Sequence, residues 1–224
     1  MAMTIDGKVS TYARTPTTFP SKADKRLLLE LRAQADAIMV GANTARTDHM
    51  SMGIPDALLR RQRVRRGMAE YPLRVIISGR LSVQQSWEVF QHGFSPILIF
   101  TSEIAPKTKR RKFERLARIY SCGRFSVDMN RVMQILRRDW KVERLLCEGG
   151  PTLNWELFRC GLVDEINLTL CPKIFGGRTA PTLVDGAGFL PDQAGNARLL
   201  KIRRKGDEIF LVYRMTNNHA NKAR

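Results

Sequence analysis

Cys147-Glu148-Gly149-Gly150-Pro151-Thr152-Leu153-Asn154-Trp155-Glu156-Leu157-Phe158 is the stretch whose reading decides the fold. Leu145 and Leu146 precede it, as at the carboxyl end of a buried strand. Two glycines let the backbone turn sharply and approach a ligand with no side chain in the way. Pro151 suits the first position of a helix, where its missing N–H costs nothing. Leu153, Leu157 and Phe158 then recur at helical spacing, and Gly161 is a stop. A strand, a glycine turn and a helix start leave free backbone N–H groups at the positive end of a helix dipole. That is an anion site, and in an α/β sheet a dinucleotide pyrophosphate commonly fills it. A tight turn with no ligand is the plainer reading, since the stretch is not a G-x-G-x-x-G fingerprint.

At 224 residues, with 43% hydrophobic and 8% aromatic residues, the chain is long enough for a substantial core. No apolar run is long enough to span a bilayer, and the N-terminus lacks a signal pattern, so a cytoplasmic location and no membrane partner are expected. Cys122, Cys147, Cys160 and Cys171 have no C-x-x-C spacing and read as free thiols rather than disulfides or zinc ligands. His49, His92 and His219 are too scattered for a metal site. The net charge of +17 is clustered in Arg60–Arg66, Lys107–Arg118, Arg137–Arg138 and Lys201–Lys205. Those clusters lack interleaved aromatics, and no helix-turn-helix or RNA-recognition signature is present. A solvated basic surface that steers anionic ligands is favoured over nucleic-acid binding.

Outward from the glycine turn, Ala37–Gly41, Leu73–Ser78, Pro96–Thr101 and Arg144–Cys147 read as buried strands. Ser21-Lys22-Ala23-Asp24 reads as a capping box for a helix carrying Leu27, Leu28, Leu31 and Ala35 on one face. Asn43–Pro55 has the composition of a loop, and Asp56–Arg66 that of a short basic helix. Pro106 opens another basic helix, and Asp128 caps one with Val132, Leu136 and Trp140 at spacing four. Ile119–Val127 contains a short strand, and Ile166, Leu168 and Leu170 alternate as in a half-covered one. Leu199–Arg203 and Glu208–Arg214 form a hairpin around Lys205-Gly206-Asp207. These elements predict a single α/β domain over 1–215, a mixed and mainly parallel sheet, a C-terminal antiparallel hairpin and a frayed tail over 216–224. Ligands of such sheets sit at the carboxyl ends of strands, where Gly41–Asp48, Ser78–Arg80, Thr101–Glu103 and Glu148–Asn154 converge.

Together, several blocks resemble the riboflavin-pathway pyrimidine reductases, meaning the stand-alone archaeal and fungal enzymes and the C-terminal domain of the bacterial RibD deaminase–reductases. The blocks are Thr4–Lys8, Ala35–Gly41 with Thr44 and Asp48, Glu148–Trp155, Gly161–Glu165, Pro172–Gly177 and Ala180–Gly186. The resemblance covers nearly the whole chain. It implies a dihydrofolate-reductase-like three-layer fold, a homodimer, and hydride transfer from NADPH, with NADH as the alternative. The acceptor it implies is C1′ of a ribosylamino-pyrimidine 5′-phosphate. It places Glu148 on the substrate ribose, Arg32, Thr17, Thr18 and Met52 with the substrate, and Gly149, Gly150, Pro151, Thr152, Leu153 and Asn154 along the coenzyme phosphates. Thr44, Asp48 and Ser78 match other coenzyme positions. Opening the N-glycoside needs a proton donor, and Lys8, Asp6 and Glu148 are the candidates.

The family's Asp-Pro-x-Leu-Thr-x-Arg run is replaced here by Asp48-His49-Met50-Ser51-Met52-Gly53-Ile54-Pro55, so its phosphate-holding arginine is gone. Arg60, Arg61 or Arg63 could stand in, or the substrate has changed. The family also has a full first strand ahead of its Asp-Gly-Lys block, which is expected to be trimmed or to begin upstream of Met1 here. The deaminase zinc signature is absent. Two other readings remain open from sequence: a same-fold reductase acting on another pterin- or pyrimidine-like compound, and a basic nucleic-acid-binding protein on an inactive reductase scaffold. Several residues also have plainer roles: Asp6 in a turn with Gly7, Arg32 as a surface charge, Thr44 and Asp48 in loop ordering, and Ser78 in an ordinary turn.

Overall fold

The computed structural model describes residues 1–14 and 19–216. Thr17, Thr18 and the expected tail beyond Thr216 lie outside the described residues. The chain gathers into two compact units, one of Arg26–Gly149 and one of Met1–Lys25 with Gly150–Arg224.

The first unit is built on five parallel strands: β2 (Ala37–Gly41), β3 (Leu73–Ile77), β4 (Ile97–Thr101), β5 (Arg118–Ser121) and β6 (Leu145–Cys147), in the order β5-β4-β3-β2-β6. Of the runs read as buried strands, β2 and β4 are so, with Ala37, Ile38, Met39, Val40, Leu98, Ile99 and Phe100 wholly buried, whereas Leu145, Leu146 and Cys147 of the edge strand β6 are only half-buried. Ile38, Val40, Ile76, Ile97, Ile99, Phe90 and Phe113 pack into one core. Burying each such side chain contributes roughly 1.5–3 kcal/mol. The helices α3 (Ala57–Arg65) and α5 (Met129–Trp140) start where their aspartates predict. Asp56 accepts from the Leu58 and Leu59 amides, and Asp128 from the Arg131 amide. Pro106 precedes α4 (Lys107–Phe113).

One expectation fails here. Asn43–Pro55 was expected as loop, yet α2 (Ala42–Thr47) forms in it directly behind β2. Ala45 is buried in the core and Ala42 packs against it, so tertiary packing overrides a loop-like composition. The rest of the segment follows the loop expectation, with His49 and Met52 at positive φ.

The second unit carries a sheet ordered β1-β7-β9-β8, from β1 (Ala2–Thr4), β7 (Glu165–Cys171), β8 (Ala197–Lys205) and β9 (Glu208–Met215). β1 runs parallel to β7, and the other pairs are antiparallel. The predicted hairpin turns at Gly206, at φ +60°. Helix α6 (Pro151–Arg159) also belongs to this unit. Thus the α/β class, the parallel strands and the terminal hairpin are all present.

Helix α1 (Lys22–Arg32) begins in this unit, and its cap differs from the one expected. Ser21 Oγ accepts from the Ala23 and Asp24 amides at 3.0 and 3.2 Å, which is half of a capping box. The return bond comes from another strand. Glu208, at the start of β9 and 6% exposed, accepts the Ser21 amide at 3.0 Å and the Ser21 hydroxyl by a short bond. The same carboxylate faces Cys171 Sγ at 3.6 Å. Burial first, and Glu208 second, push the Cys171 thiol up to about 12. Replacing Glu208 by leucine leaves the half-buried Ser21 donors without this acceptor. Urea unfolding should show a loss of about 1–3 kcal/mol, with a smaller loss for Glu208→Gln, which keeps one acceptor. Equal stability of the leucine variant would show that this carboxylate does not hold the helix start.

Candidate functional site

In the Arg26–Gly149 unit the site forms at the carboxyl ends of β2 and β6. Asp36 sets the two strands' relation, since its Oδ2 accepts the Glu143 and Arg144 amides at 2.9 and 2.8 Å. The ladder then runs Ala37–Leu145, Ile38–Leu146 and Met39–Cys147. It continues past the strand as Glu148 N–H to Met39 O and Gly41 N–H to Gly149 O, both 2.9 Å. Glu148 is therefore held by backbone on both sides.

Its side chain meets Arg32 from the last turn of α1. Arg32 Nε donates to Glu148 Oε1 at 2.6 Å and Nη2 donates to Oε2 at 2.7 Å, a bidentate pair. The side chains are only 10% and 5% exposed. Arg32 Nη1 donates to Gly53 O at 2.8 Å, fixing the third edge of the guanidinium. Burial opposes the Arg32 charge, but the Glu148 carboxylate and its hydrogen bonds outweigh this and raise its pKa. Gly53 has its own constraint, because a Cβ there would lie 2.8 Å from the Phe94 ring. So Arg32, which by itself reads as one more surface charge on its helix, is a buried partner of Glu148.

Asp48 closes α2, its amide donating to Thr44 O at 3.0 Å. More than a third of its surface is open, yet the atoms crowded around the carboxyl make its charged form costly. That desolvation, and then the charge of Glu148, push its pKa up, while His49 works the other way. Thr44 sits half-buried in α2. Ser78 is buried, and its Oγ accepts the Ser82 amide at 2.8 Å, so the hydroxyl braces the turn after β3. Met52 is wholly buried in the core, and its side chain is not presented to solvent.

The central turn has the conformation its glycines suggest. Gly149 has φ +97°, a region that glycine enters without strain. Gly150 is the N-cap of α6 in extended conformation, and Pro151 is its first residue. Asn154 N–H makes a bond to Gly150 O. Gly150 has no side chain to cap the helix, so the amides of Thr152 and Leu153 face outward from the helix start. These residues therefore fit an anionic group such as a diphosphate. Thr152 is exposed and Leu153 buried. The Asn154 side chain is spent locally, its Nδ2 donating to Leu183 O at 2.7 Å.

In the same unit as α6, Asp6 serves as an anchor. Its carboxylate accepts from Thr4 Oγ1 at 2.5 Å and from the Phe175 and Gly176 amides at 3.2 and 2.7 Å. The Thr4 hydroxyl, then these amides, hold its pKa below the usual carboxylate range against the opposing effect of burial. Gly176 and Gly177, at φ +62° and +83°, are the backbone necessity their pairing suggests. Lys8 Nζ donates to Ala180 O at 3.2 Å. Sequence reasoning missed the Arg32–Glu148 pairing, the Gly53 carbonyl and the Glu208 clamp. None of the three carries a local signal in the sequence.

A parallel sheet with polar residues gathered at its strands' carboxyl ends is the arrangement in which α/β proteins bind their ligands. Solved structures agree on the fold. A pyrimidine reductase-like protein from Corynebacterium diphtheriae superposes with a TM-score of 0.85 at 22% identity, over 96% of this chain and 90% of that one. The riboflavin biosynthesis reductase Rib7 of Saccharomyces cerevisiae gives 0.67 at 18% identity, over 96% and 87%. The fold is thus of the dihydrofolate-reductase-like class. Residues 1–211 match the RibD C-terminal domain, and the chain belongs to that family. The 2,5-diamino-6-ribosylamino-4(3H)-pyrimidinone 5′-phosphate reductase of Archaeoglobus fulgidus is 34% identical over 214 residues, 96% of this chain and 95% of the relative. The enzyme of that name from Methanothermobacter thermautotrophicus is 34% identical over 215 residues, 95% and 94%.

Two measurements test the electrostatics. Glu148→Ala leaves Arg32 charged and buried, which should cost about 3–5 kcal/mol in guanidinium unfolding. Replacing both residues, Arg32→Met with Glu148→Leu, should recover most of that loss; no recovery would mean the pair is not the source. For Asp48 the sign runs the other way. A carboxyl whose folded pKa is raised weakens the fold as pH climbs from the ordinary carboxylate value through the folded one. Asp48→Asn should therefore melt higher than the parent at pH 7, with the gap closing below the ordinary carboxylate range. A gap independent of pH would exclude the crowded carboxylate as its cause.

Proposed function

We propose that this chain is an NADPH-dependent reductase of riboflavin biosynthesis, converting the ribosylamino side chain of a pyrimidine 5′-phosphate to ribitylamino. The observation that carries the reading is the buried Arg32–Glu148 pair beside the glycine turn, on a chain 34% identical to two reductases of that name. A bound nicotinamide supplies the hydride. The protein's part is to bind, orient and manage protons. Glu148 accepts ribose hydroxyls, and Arg32 keeps that carboxylate oriented. The amides of Thr152 and Leu153, with the exposed Thr152 hydroxyl, receive the coenzyme diphosphate. Thr44, Asp48 and the turn at Ser78 line the coenzyme along the strand ends.

The three proton-donor candidates differ in what they have left to give. Asp6 is held as an anion by three donors, and Glu148 is paired with a cation. Lys8 gives one of its ammonium protons to Ala180 O and keeps the others uncommitted. We therefore assign the donor role to Lys8: it protonates the ring oxygen as the N-glycoside opens to the imine.

A homodimer suits the second sheet. Leu199, Tyr213 and Ile166 form one cross-strand row, and Ile202, Leu211 and Leu168 the next. Leu199 is 45% and Ile202 62% exposed, so this aliphatic face is partly bare. Among the described residues no helix is long and apolar enough to cross a membrane.

The purified protein with NADPH and the diamino-ribosylamino-pyrimidinone phosphate should lose absorbance at the nicotinamide band. No loss rejects the assigned substrate. Lys8→Met should lower kcat by about 10²–10⁴-fold with coenzyme affinity retained, and an unchanged kcat would remove Lys8 from the proton path. Light scattering should give twice the chain mass for the parent and the chain mass for Ile202→Glu. A monomeric parent would remove the dimer.

A further inference from the structure

The buried ion pair leans on Gly53, and Gly53 leans on a residue that the reading above does not use. The Gly53 carbonyl accepts from Arg32 Nη1 at 2.8 Å, while Arg32 grips both oxygens of Glu148. Gly53 is not at positive φ, so its backbone conformation would tolerate a side chain. Space forbids one. A Cβ would stand 2.8 and 3.2 Å from Cζ and Cε1 of Phe94, closer than packed carbons approach. The ring therefore lies against the Gly53 backbone itself.

Phe94 is held in that place. It belongs to the loop between β3 and β4, and the buried Arg74 of β3 fastens that loop. Arg74 Nη1 donates to Val89 O at 2.6 Å, and Nη2 donates to His92 O at 2.8 Å and to Ser95 O by a short bond. Arg74 Nε donates to Ser95 Oγ at 3.2 Å. These bonds bracket Phe94 in the chain, and the guanidinium also lies 4.4 Å from the centre of its ring. Tyr71 stacks on the same ring at 4.4 Å with the planes 24° apart, and His92 does so at 5.8 Å. Tyr71 in turn carries Arg60 at 5.4 Å. Arg60 Nη1 takes the two carbonyls after Gly53, those of Ile54 and Pro55, at 3.0 and 2.8 Å. Three consecutive carbonyls are thus held by arginines, and one of those arginines shares the aromatic stack that meets Gly53.

The bond between the Gly53 carbonyl and Arg32 is directional and short-ranged. Moving that carbonyl by about an ångström would break the bond and leave the guanidinium free to turn on Glu148. Every residue in this chain of contacts lies in the Arg26–Gly149 unit. We propose that Phe94 is a positioning residue: it holds the Gly53 carbonyl against Arg32 and thereby aims Glu148 at the substrate ribose. This rests on the reductase reading, because that reading puts ribose hydroxyls on Glu148.

Phe94→Leu keeps an apolar side chain but removes the two ring atoms nearest Gly53. It should raise KM for the pyrimidine phosphate about tenfold, the cost of one misdirected charged hydrogen bond, while KM for NADPH holds. Gly53→Ala should do the same by pushing on the ring, and it keeps the test open should Phe94→Leu fail to fold. Combining the two gives the new methyl the vacated space, so the double variant should regain most of the loss. An unchanged KM in Phe94→Leu overturns the role. So does an equal rise in both KM values, which general damage would cause, or simple addition of the two losses. The Arg32 Nε–H signal in an arginine side-chain NMR spectrum, identified by its absence from Arg32→Lys, reads the geometry without turnover. Its exchange with water should be about tenfold or more faster in Phe94→Leu than in the parent, and an unchanged rate overturns the proposal. A parent inactive on the pyrimidine phosphate removes the reductase reading, and the Arg32 signal then decides by itself whether Phe94 holds the pair.

Discussion

Two charges buried together at the end of a parallel sheet are costly unless nearly all their hydrogen-bonding capacity is met. Arg32 and Glu148 meet much of that capacity through two parallel N–H···O bonds, which leave each Glu148 oxygen a further lone pair, and the Gly53 carbonyl takes a third edge of the guanidinium. Much of the Arg26–Gly149 unit follows from keeping this geometry. Asp36 clamps the start of β6, and the β2–β6 ladder carries Glu148 to the level of Met39. The loop after α2 must bring a glycine carbonyl to Arg32, and Phe94 leaves no room for a side chain there. The proposed chemistry profits from the same rigidity. A carboxylate already fixed in place needs no reorganisation when ribose hydroxyls arrive.

The net charge of +17 gives a poor picture of where the arginines are. Arg63 and Arg74 are each 1% exposed, and both are held by carbonyl oxygens rather than carboxylates. Arg63 ties Ala69 to the end of α1 through the Arg32 and Ala35 carbonyls. Arg74 gathers the Val89, His92 and Ser95 carbonyls and lies 4.4 Å over the Phe94 ring, and burial pulls its pKa down to about 10. This bears on the family's missing phosphate-holding arginine. Arg63 is sealed inside, and Arg60 is taken by Glu70 and the Ile54 and Pro55 carbonyls. Of the three arginines offered as replacements, only Arg61 is exposed and free of an ion pair among the described residues.

What the sequence made legible was mostly local or periodic. Ala37–Val40 reads as a doubly buried strand because nothing in it is polar, and Asp128 reads as a cap because a carboxylate next to a helix start has one obvious use. The glycine pair before Pro151 disclosed the uncapped helix start for the same reason. Long-range partners were not legible. Nothing near Ser21 indicates that its return bond comes from Glu208, at a separation of 187 residues, and Arg32 gives no hint of Glu148 at a separation of 116. Helix α2 was hidden because its only apolar residues are alanines, whose value lies in fitting the core.

The same distinction separates two kinds of polar residue at the strand ends. Asp6, Ser78 and Asn154 look from sequence like ligand contacts, yet each has its side-chain acceptors or donors engaged by nearby backbone. A group already satisfied gains little from a ligand, because it must give up one bond to form another. Binding energy must instead come from donors with no partner until a ligand arrives. The helix-start amides at Thr152 and Leu153 are of that kind, and so is Arg110 Nε. Both are donors suited to phosphate oxygens, whereas the carboxylate of Glu148 suits hydroxyls. The unsatisfied groups therefore favour phosphorylated ligands, which the reductase reading also requires.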